Sequence, residues 1–306
     1  MDWTTLFDKR MAEELPAVKL LHDEPMSRHT SFRIGGPARR MACPASGEEL
    51  AAVLTLAKEC GMELPLVIGK GTNLLVADEG LDRLVIDTAA AMHAMELHED
   101  GRITADAGVS LVRLAEFACR NGLAGLEFAH GIPGTLGGAV CMNAGAYGGE
   151  MVQVLESVTA LFPEEGIRTL PVEELDLRYR HSLFSDHPEA VVLSATVKLE
   201  RGEESVIRAK MQELMGRRKT TQPLEYPSAG STFKRPTGYF AGTLIDQTGL
   251  KGLTVGGAQV SEKHAGFVIN IGGATFADVT ELMEQVQEAV FAAHGVRLEP
   301  EVRIIR

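Results

Sequence analysis

Gly131-Ile132-Pro133-Gly134-Thr135-Leu136-Gly137-Gly138-Ala139-Val140-Cys141-Met142-Asn143-Ala144-Gly145-Ala146-Tyr147-Gly148-Gly149 carries seven of the chain's 32 glycines in 19 positions. An even spread over the chain would place about two there. Glycine reaches φ > 0 and lacks a Cβ, so such a run lets the backbone turn sharply and press against a ligand. Consecutive exposed N–H groups in turns of this kind form nests for phosphate oxygens. Flexible linkers favour serine and charge, whereas this run holds Ile132, Leu136, Val140, Cys141 and Met142. It reads as a buried, ligand-hugging loop.

A second glycine loop lies about sixty residues upstream. Leu64-Pro65-Leu66-Val67-Ile68 predicts a short buried strand, and Gly69-Lys70-Gly71-Thr72-Asn73 follows it directly. A glycine turn at a strand end suits a pyrophosphate. Leu74 stands where the third glycine of a dinucleotide fingerprint would be, and no P-loop pattern occurs. Two separate loops therefore point to one long diphosphate ligand held from two sides.

Composition narrows the class. Apolar residues make up 45 % and charged residues 24 %, ordinary for a globular chain with a core. A net charge of −12 argues against general nucleic-acid or membrane-surface binding. Met1-Asp2-Trp3 opens no leader pattern and no apolar run is long enough to span a bilayer, so a cytoplasmic protein is expected; the expected assembly is a monomer. Cys43, Cys60, Cys119 and Cys141 show no C-x-x-C spacing and read as reduced core thiols. The nine histidines show no metal-ligand spacing.

Along the chain, a helix is expected over 2–21, limited by Pro16 and opened by an acid in its first turn. Ser46 and Glu49 form a capping box for a helix at 47–60 that stops at Gly61. Strands follow near 64–68, 84–87 and 103–107, and Ser110 caps a helix at 111–121. Beyond the glycine run come strands at 152–162 and 190–199, a helix at 203–219 and a short helix at 239–248. Strands at 254–260 and 266–271, a helix at 277–294 closed by Gly295 and a strand at 296–305 complete the chain. The alternation is that of a mixed α/β chain of the α+β class, with a domain boundary near 200–205.

Seven segments resemble the motifs of the UDP-N-acetylenolpyruvoylglucosamine reductase family, in the family's order from residue 30 to the C-terminus. They are Thr30–Gly36, Gly69–Leu75, Gly131–Gly138, Asn143–Gly148, Tyr179–Ser182, Gly230–Lys234 and Glu299–Arg303. The resemblance implies a PCMH-type FAD-binding domain of two subdomains over 1–200, split near residue 88. It further implies a C-terminal α+β substrate-binding domain over 205–306, whose last strand returns to the active site. Non-covalent FAD and NADPH are the implied cofactors; Gly69–Asn73 holds no histidine for a covalent flavin link. The implied FAD contacts are Arg33, Gly69, Lys70, Gly71, Thr72, Asn73, Leu74, Gly131, Pro133, Gly134, Thr135, Gly137, Gly138, Asn143, Gly145 and Ala146.

Val206 to Lys251 holds eight basic residues against three acids, 8 − 3 = +5, inside an acidic chain. Such a local field suits a small anionic substrate; part of it also reads as a solvated helix face. The resemblance assigns substrate contacts to Tyr147, Tyr179, Lys234, Arg235, Lys251 and Gln259, with Arg235 standing where some members have asparagine. It makes Ser231, Glu301 and Arg180 catalytic. Read without it, Ser231 is a loop serine outside any G-x-S-x-G elbow, Glu301 one charge on an alternating strand, and Arg180 one of 30 basic residues. The implied reaction is reduction of an enolpyruvyl UDP-sugar in peptidoglycan precursor synthesis. Ser231 would act as general acid, with Arg180 and Glu301 stabilising the developing enolate. The short span from Tyr179 to residue 203 matches the subtype without an extra capping insertion. Two other readings fit the loops alone: an FAD oxidase of the same cofactor-binding fold, and a non-catalytic nucleotide-sugar binder.

Overall fold

The computed structural model describes residues 3–62 and 64–306; the Asp2 expected in the first helical turn lies outside them. Helices and sheets are mixed throughout, an α+β arrangement. The chain divides into two compact units. The first is built from residues 1–22, 40–70 and 83–217, the second from 23–39, 71–82 and 218–306. These units differ from a single cut near 200–205. Two upstream segments belong with the C-terminal residues because their apolar side chains share one core: Phe32, Ile34 and Leu75 pack with Leu244, Val268, Met283 and Val302.

The first unit holds a five-stranded antiparallel sheet in the order Gly166–Pro171, Leu155–Phe162, Val191–Lys198, Arg102–Asp106, Met95–Leu97. Helix Leu111–Arg120 buries Leu111, Leu114, Ala115 and Ala118 in the core around that sheet. Ser110 caps it, accepting from the Arg113 amide at 3.3 Å. Gly122 at φ 63 follows it. Strand Leu66–Ile68 runs parallel to Leu81–Asp87. Residues Phe7, Leu50, Val53, Leu84 and Ile86 form a separate core. Helix Gly47–Glu59 is capped by Ser46 through the Glu49 amide at 3.2 Å. The reciprocal arm of the expected box is shifted: the Glu49 carboxylate accepts from Ala45, not Ser46.

Three expectations change. The N-terminal helix ends at Glu14, and Lys19–Pro25 is a strand, since the turn at Pro16 closes with Val18 donating to the Leu15 carbonyl. The expected strand at 254–260 is a hairpin of Thr254–Val255 and Ala258–Val260, turned at Gly256 with φ 51. The final strand is only Arg303–Ile305, parallel to Leu74–Val76. Ahead of it, exposed Arg297 and Glu299 alternate with buried Leu298 and Val302, but the alternation slips at Ile304, which is 40 % exposed. No described helix is long and apolar enough to cross a membrane. No disulfide joins the four cysteines; Cys43 and Cys119 are buried, Cys60 and Cys141 only partly so.

The helix Phe276–His294 closes the second unit over its three-stranded sheet, Thr254–Val255, Ala258–Val260 and Val268–Asn270. Thr275 caps it, and the Asp278 carboxylate accepts from the amides of Thr275 at 2.9 Å and Gly257 at 3.2 Å. Those backbone bonds hold the Asp278 carboxyl below its ordinary range. Its stabilising contribution is therefore present above the unfolded pKa near 3.9 and is lost as pH falls through the lower folded value. Asp278→Ala is expected to cost ~1 kcal/mol at neutral pH, the net worth of a hydrogen bond, and the gap to wild type should close as pH falls through the lowered folded pKa. Thermal melts across pH check this; an undiminished gap in acid would assign the loss to something other than the carboxylate.

Candidate active site

The glycine run is not a continuous loop. Its middle winds into helix Leu136–Cys141, because Gly137 and Gly138 lie between apolar residues that bury one face. The run docks on the segment before the Ser110 cap: Leu136 donates to Val109, Gly137 to Ala107, and Leu111 to Gly134, at 2.8–3.1 Å. Thr135, 2 % exposed, is where the two predicted glycine loops converge. A Cβ on Gly69 would fall 2.1 Å from the Thr135 hydroxyl, and one on Gly138 would fall 3.6 Å from it. Only glycine allows that approach at Gly69. Among the described residues the amides of Lys70, Gly134 and Gly138 donate to no protein acceptor. Amides left over on two loops that touch are the donor set a diphosphate needs, and in this respect the residues fit a dinucleotide cofactor.

Beyond the helix, Gly145–Ala146 pairs with Gly149–Glu150 around a two-residue tip. Tyr147 at φ 55 and Gly148 at φ 87 give that tip the left-handed pair of a type I′ turn. Tyr147 is 38 % exposed, with the Arg217 guanidinium 5.0 Å from its ring centroid. A second two-residue tip differs in its turn: Arg178 bridges His181, leaving Tyr179 and Arg180 between them, with only Arg180 left-handed. Arg180 has φ 53 and lies 5.1 Å from the Tyr179 ring. Asn143, buried and at φ 39, ties both tips together, its amide donating to the Glu150 carboxylate and to the Arg178 carbonyl, each at 3.2 Å.

The second unit gathers Ser231, Glu301 and Asn73. Thr232, one residue after Ser231, is 2 % exposed and hydrogen-bonded at every polar backbone and side-chain group. Its amide donates to Gly266, its carbonyl accepts from Glu301, both at 2.8 Å, and its hydroxyl accepts from Val268 at 2.9 Å. Exposed Ser231 thus projects from a rigid neighbour, with the Glu301 backbone alongside. Asn73 grips the same segment: its side chain donates to the Glu301 carbonyl at 3.0 Å and its carbonyl accepts from Arg303 at 2.9 Å. Arg33, exposed at φ 56, lies between buried Phe32 and Ile34. Of the six non-glycine residues at positive φ, Arg33, Asn143, Tyr147 and Arg180 are predicted site residues; such backbone strain gathers at functional positions.

The basic field is partly discharged by acids outside the counted window. Arg208 pairs with Glu116 and Glu204, and Lys234 with Glu299. Lys251 pairs with Asp246 at 2.9 Å, and the Gln259 side chain donates to Thr254 at 3.0 Å. Arg235 lies 4.5 Å from the ring of exposed Phe240. Arg217 is legible in the sequence only as one charge of the basic window and Thr232 only as a member of Gly230–Lys234, while His264 carries no motif signal. Burial first, then the Lys251 charge, hold the His264 imidazole below its usual pKa; its Nδ1 accepts from the Gly266 amide at 3.1 Å, which leaves the proton on Nε2.

The model of the UDP-N-acetylenolpyruvoylglucosamine reductase C-terminal domain matches residues 222–305, and that of an FAD binding domain matches 38–170. The UDP-N-acetylenolpyruvoylglucosamine reductase of Caldanaerobacter subterraneus subsp. tengcongensis is 48 % identical over 301 residues, covering 98 % of each chain. That of Agathobacter rectalis is 49 % identical over 310 residues, again with 98 % of each covered. The crystal structure of the Thermus caldophilus enzyme superposes with a TM-score of 0.80 at 37 % identity, covering 94 % of this chain and 99 % of that one. With near-complete coverage at this level of identity, and both halves matched by their own models, the chain belongs to the UDP-N-acetylenolpyruvoylglucosamine reductase family.

Proposed function

We propose that this protein reduces UDP-N-acetylglucosamine enolpyruvate to UDP-N-acetylmuramate with NADPH, as a cytoplasmic monomer supplying peptidoglycan synthesis and through it cell shape and division. The observation that carries the cofactor part is the convergence of two glycine loops at Thr135, with backbone amides left over on both. Residues 1–200 would bind FAD and 205–306 the substrate. Bound FAD supplies a two-electron relay, accepting hydride from NADPH and delivering it to the enolpyruvyl methylene carbon.

The protein's own residues handle the charge and the proton. Lys70, Gly134 and Gly138 hold the diphosphate through their amides; Arg33, Gly69, Gly71, Thr72, Asn73, Leu74, Gly131, Pro133, Thr135, Gly137, Asn143, Gly145 and Ala146 shape the remaining contacts. Arg180 and Glu301 stabilise the negative charge that develops on the enolate, an electrostatic role for groups already oriented before reaction. Ser231 protonates the carbon as general acid. Tyr147, Tyr179, Lys234, Arg235, Lys251 and Gln259 orient the UDP-sugar, with Lys251 exchanging Asp246 for a phosphate.

The test is spectroscopic. Purified protein should be yellow, and denaturation followed by filtration should release the flavin. NADPH should bleach it, and the enolpyruvyl UDP-sugar should restore the colour. A colourless protein that cannot be reconstituted with FAD would overturn the reading, as would flavin that stays on the denatured chain for its non-covalent part. Rapid reoxidation by oxygen with indifference to the UDP-sugar would favour an oxidase.

A further inference from the structure

The turn that presents Arg180 is fastened more heavily than an exposed two-residue tip requires. Arg178 and His181 exchange both backbone hydrogen bonds at 3.1 Å, so Tyr179 and Arg180 have no freedom to slide along the hairpin. Beneath the tip, the Asp176 Oδ2 accepts from the Arg178 guanidinium at 2.6 Å and lies 3.2 Å from the His181 Nε2. One carboxylate oxygen therefore holds the side chains at both ends of the turn. The chain is fixed below this point as well. Fully buried Leu175 accepts from the Leu183 amide at 2.7 Å, and fully buried Ser182 donates to the Cys141 carbonyl at 2.8 Å. Asn143 supplies a third attachment through the Arg178 carbonyl.

Asp186 also approaches His181 Nε2, at 3.3 Å, so Asp176, His181 and Asp186 bring three ligand-type atoms within 4.8 Å of one another. The Arg178 guanidinium lies 2.8 Å from that same nitrogen. A second cation beside that guanidinium is disfavoured by charge. The cluster works as an ion-pair knot.

We propose that Asp176 is a positioning residue for Arg180: by holding Arg178 and His181 together it fixes the turn between them and the direction in which the guanidinium is presented. This rests on the reading of Arg180 as the group that stabilises the enolate. The need is physical. An arginine side chain has several rotatable bonds, and a misplacement of about 1 Å can cost 10²-fold in rate. The Arg178 hydrogen bond, foremost, holds the Asp176 carboxyl below its ordinary range, so the carboxylate persists at neutral pH. Asp176 is itself exposed and outside every candidate contact to cofactor or substrate, so its effect must pass through the turn.

The experiment is a double-mutant cycle on the holoenzyme, read by stopped flow in each half-reaction. Asp176→Ala should slow reoxidation by the enolpyruvyl UDP-sugar about tenfold to a hundredfold, leave reduction by NADPH unchanged, and alter kcat more than KM. Asp176→Glu should restore most of the rate. Added to Arg180→Ala, Asp176→Ala should cause no further slowing, because the residue it orients is gone. Wild-type reoxidation in Asp176→Ala, or the same slowing with and without Arg180, would overturn the proposal while leaving Arg180 its role. Wild-type reoxidation in Arg180→Ala would instead overturn the reading of Arg180. Flavin content and a thermal melt confirm that each variant is folded; if Asp176→Ala is not, Asp176→Asn, of equal size, takes its place and should show a smaller slowing that again vanishes in Arg180→Ala.

Discussion

Ser231→Ala is expected to keep its FAD, to be bleached by NADPH at the normal rate, and to be reoxidised by the enolpyruvyl UDP-sugar ~10²–10⁴ times more slowly. The separation follows from what each half-reaction needs. Flavin reduction requires no proton on the enolpyruvyl carbon, whereas completing the product does. Folding should survive, because Ser231 is exposed and the order around it comes from Thr232, whose hydrogen bonds to residues 266, 268 and 301 the substitution leaves alone. Rapid-mixing absorbance at the flavin band follows both steps in one preparation. Equal slowing of both would make Ser231 a residue that shapes the site; no slowing of either would assign the proton to another group.

Gly71→Ala should be the most damaging single-methyl change in the cofactor loops. Gly71 has φ 55, and a Cβ there would lie 2.0 Å from the His29 carbonyl oxygen and 3.1 Å from the Thr30 Cα. Both neighbours are backbone, so no side chain can swing aside. The Gly71 carbonyl also accepts from the Ser31 amide at 3.3 Å, so moving the loop breaks the contact to the Thr30–Gly36 motif. Strain at such a position costs ~1–3 kcal/mol before any clash, and the total is expected at ~3–5 kcal/mol, the range of severe core lesions. The melting temperature should fall, and the flavin-to-protein ratio with it. Lys70→Ala beside it, on an exposed side chain, should cost under ~0.5 kcal/mol. A Gly71→Ala variant that melts with wild type and keeps its flavin would mean that the loop has slack.

Local signals in the sequence located many elements. Ser46, Ser110 and Gly295 mark helix ends where side-chain caps or a left-handed residue terminate them. Hydrophobic alternation placed the central strands, Leu155–Phe162 and Val191–Lys198, within a few residues. The glycine loops announced a ligand, and their meeting at Thr135 is what a shared diphosphate needs. Illegible were features fixed by pairing and docking and not by apolar pattern. The strand at Gly166–Pro171 is mostly exposed and owes its form to pairing with Leu155–Phe162, so it carries little apolar pattern. The helix Leu136–Cys141 was hidden because glycine is a poor helix former, and it is held by docking on Ala107 and Val109 and by its buried apolar face. Counting charges in a window overstated the basic field, because Glu116 and Glu299 sit near it only in space. Thr232 has no motif character beyond its place beside Ser231; its importance lies wholly in hydrogen bonds to residues 266, 268 and 301.

The parallel pairing of Arg303–Ile305 with Leu74–Val76 bears on how the protein is made. As the chain leaves the ribosome, Leu74–Val76 emerge more than two hundred residues before the strand they pair with. Phe32, Ile34 and Leu75 likewise wait for helix Phe276–His294 before they can be covered. Loop closure across such a span contributes little free energy per added residue but delays every contact that depends on it. The first unit, whose segments all lie before residue 218, has its whole sequence available earlier. Through most of synthesis the nascent chain therefore carries apolar side chains and an unpaired strand edge from its own early segments, the kind of surface that holdase chaperones bind. A frameshift or stop codon removing only the last few residues would leave that edge open for good, and the segment that carries Glu301 without the strand that follows and anchors it.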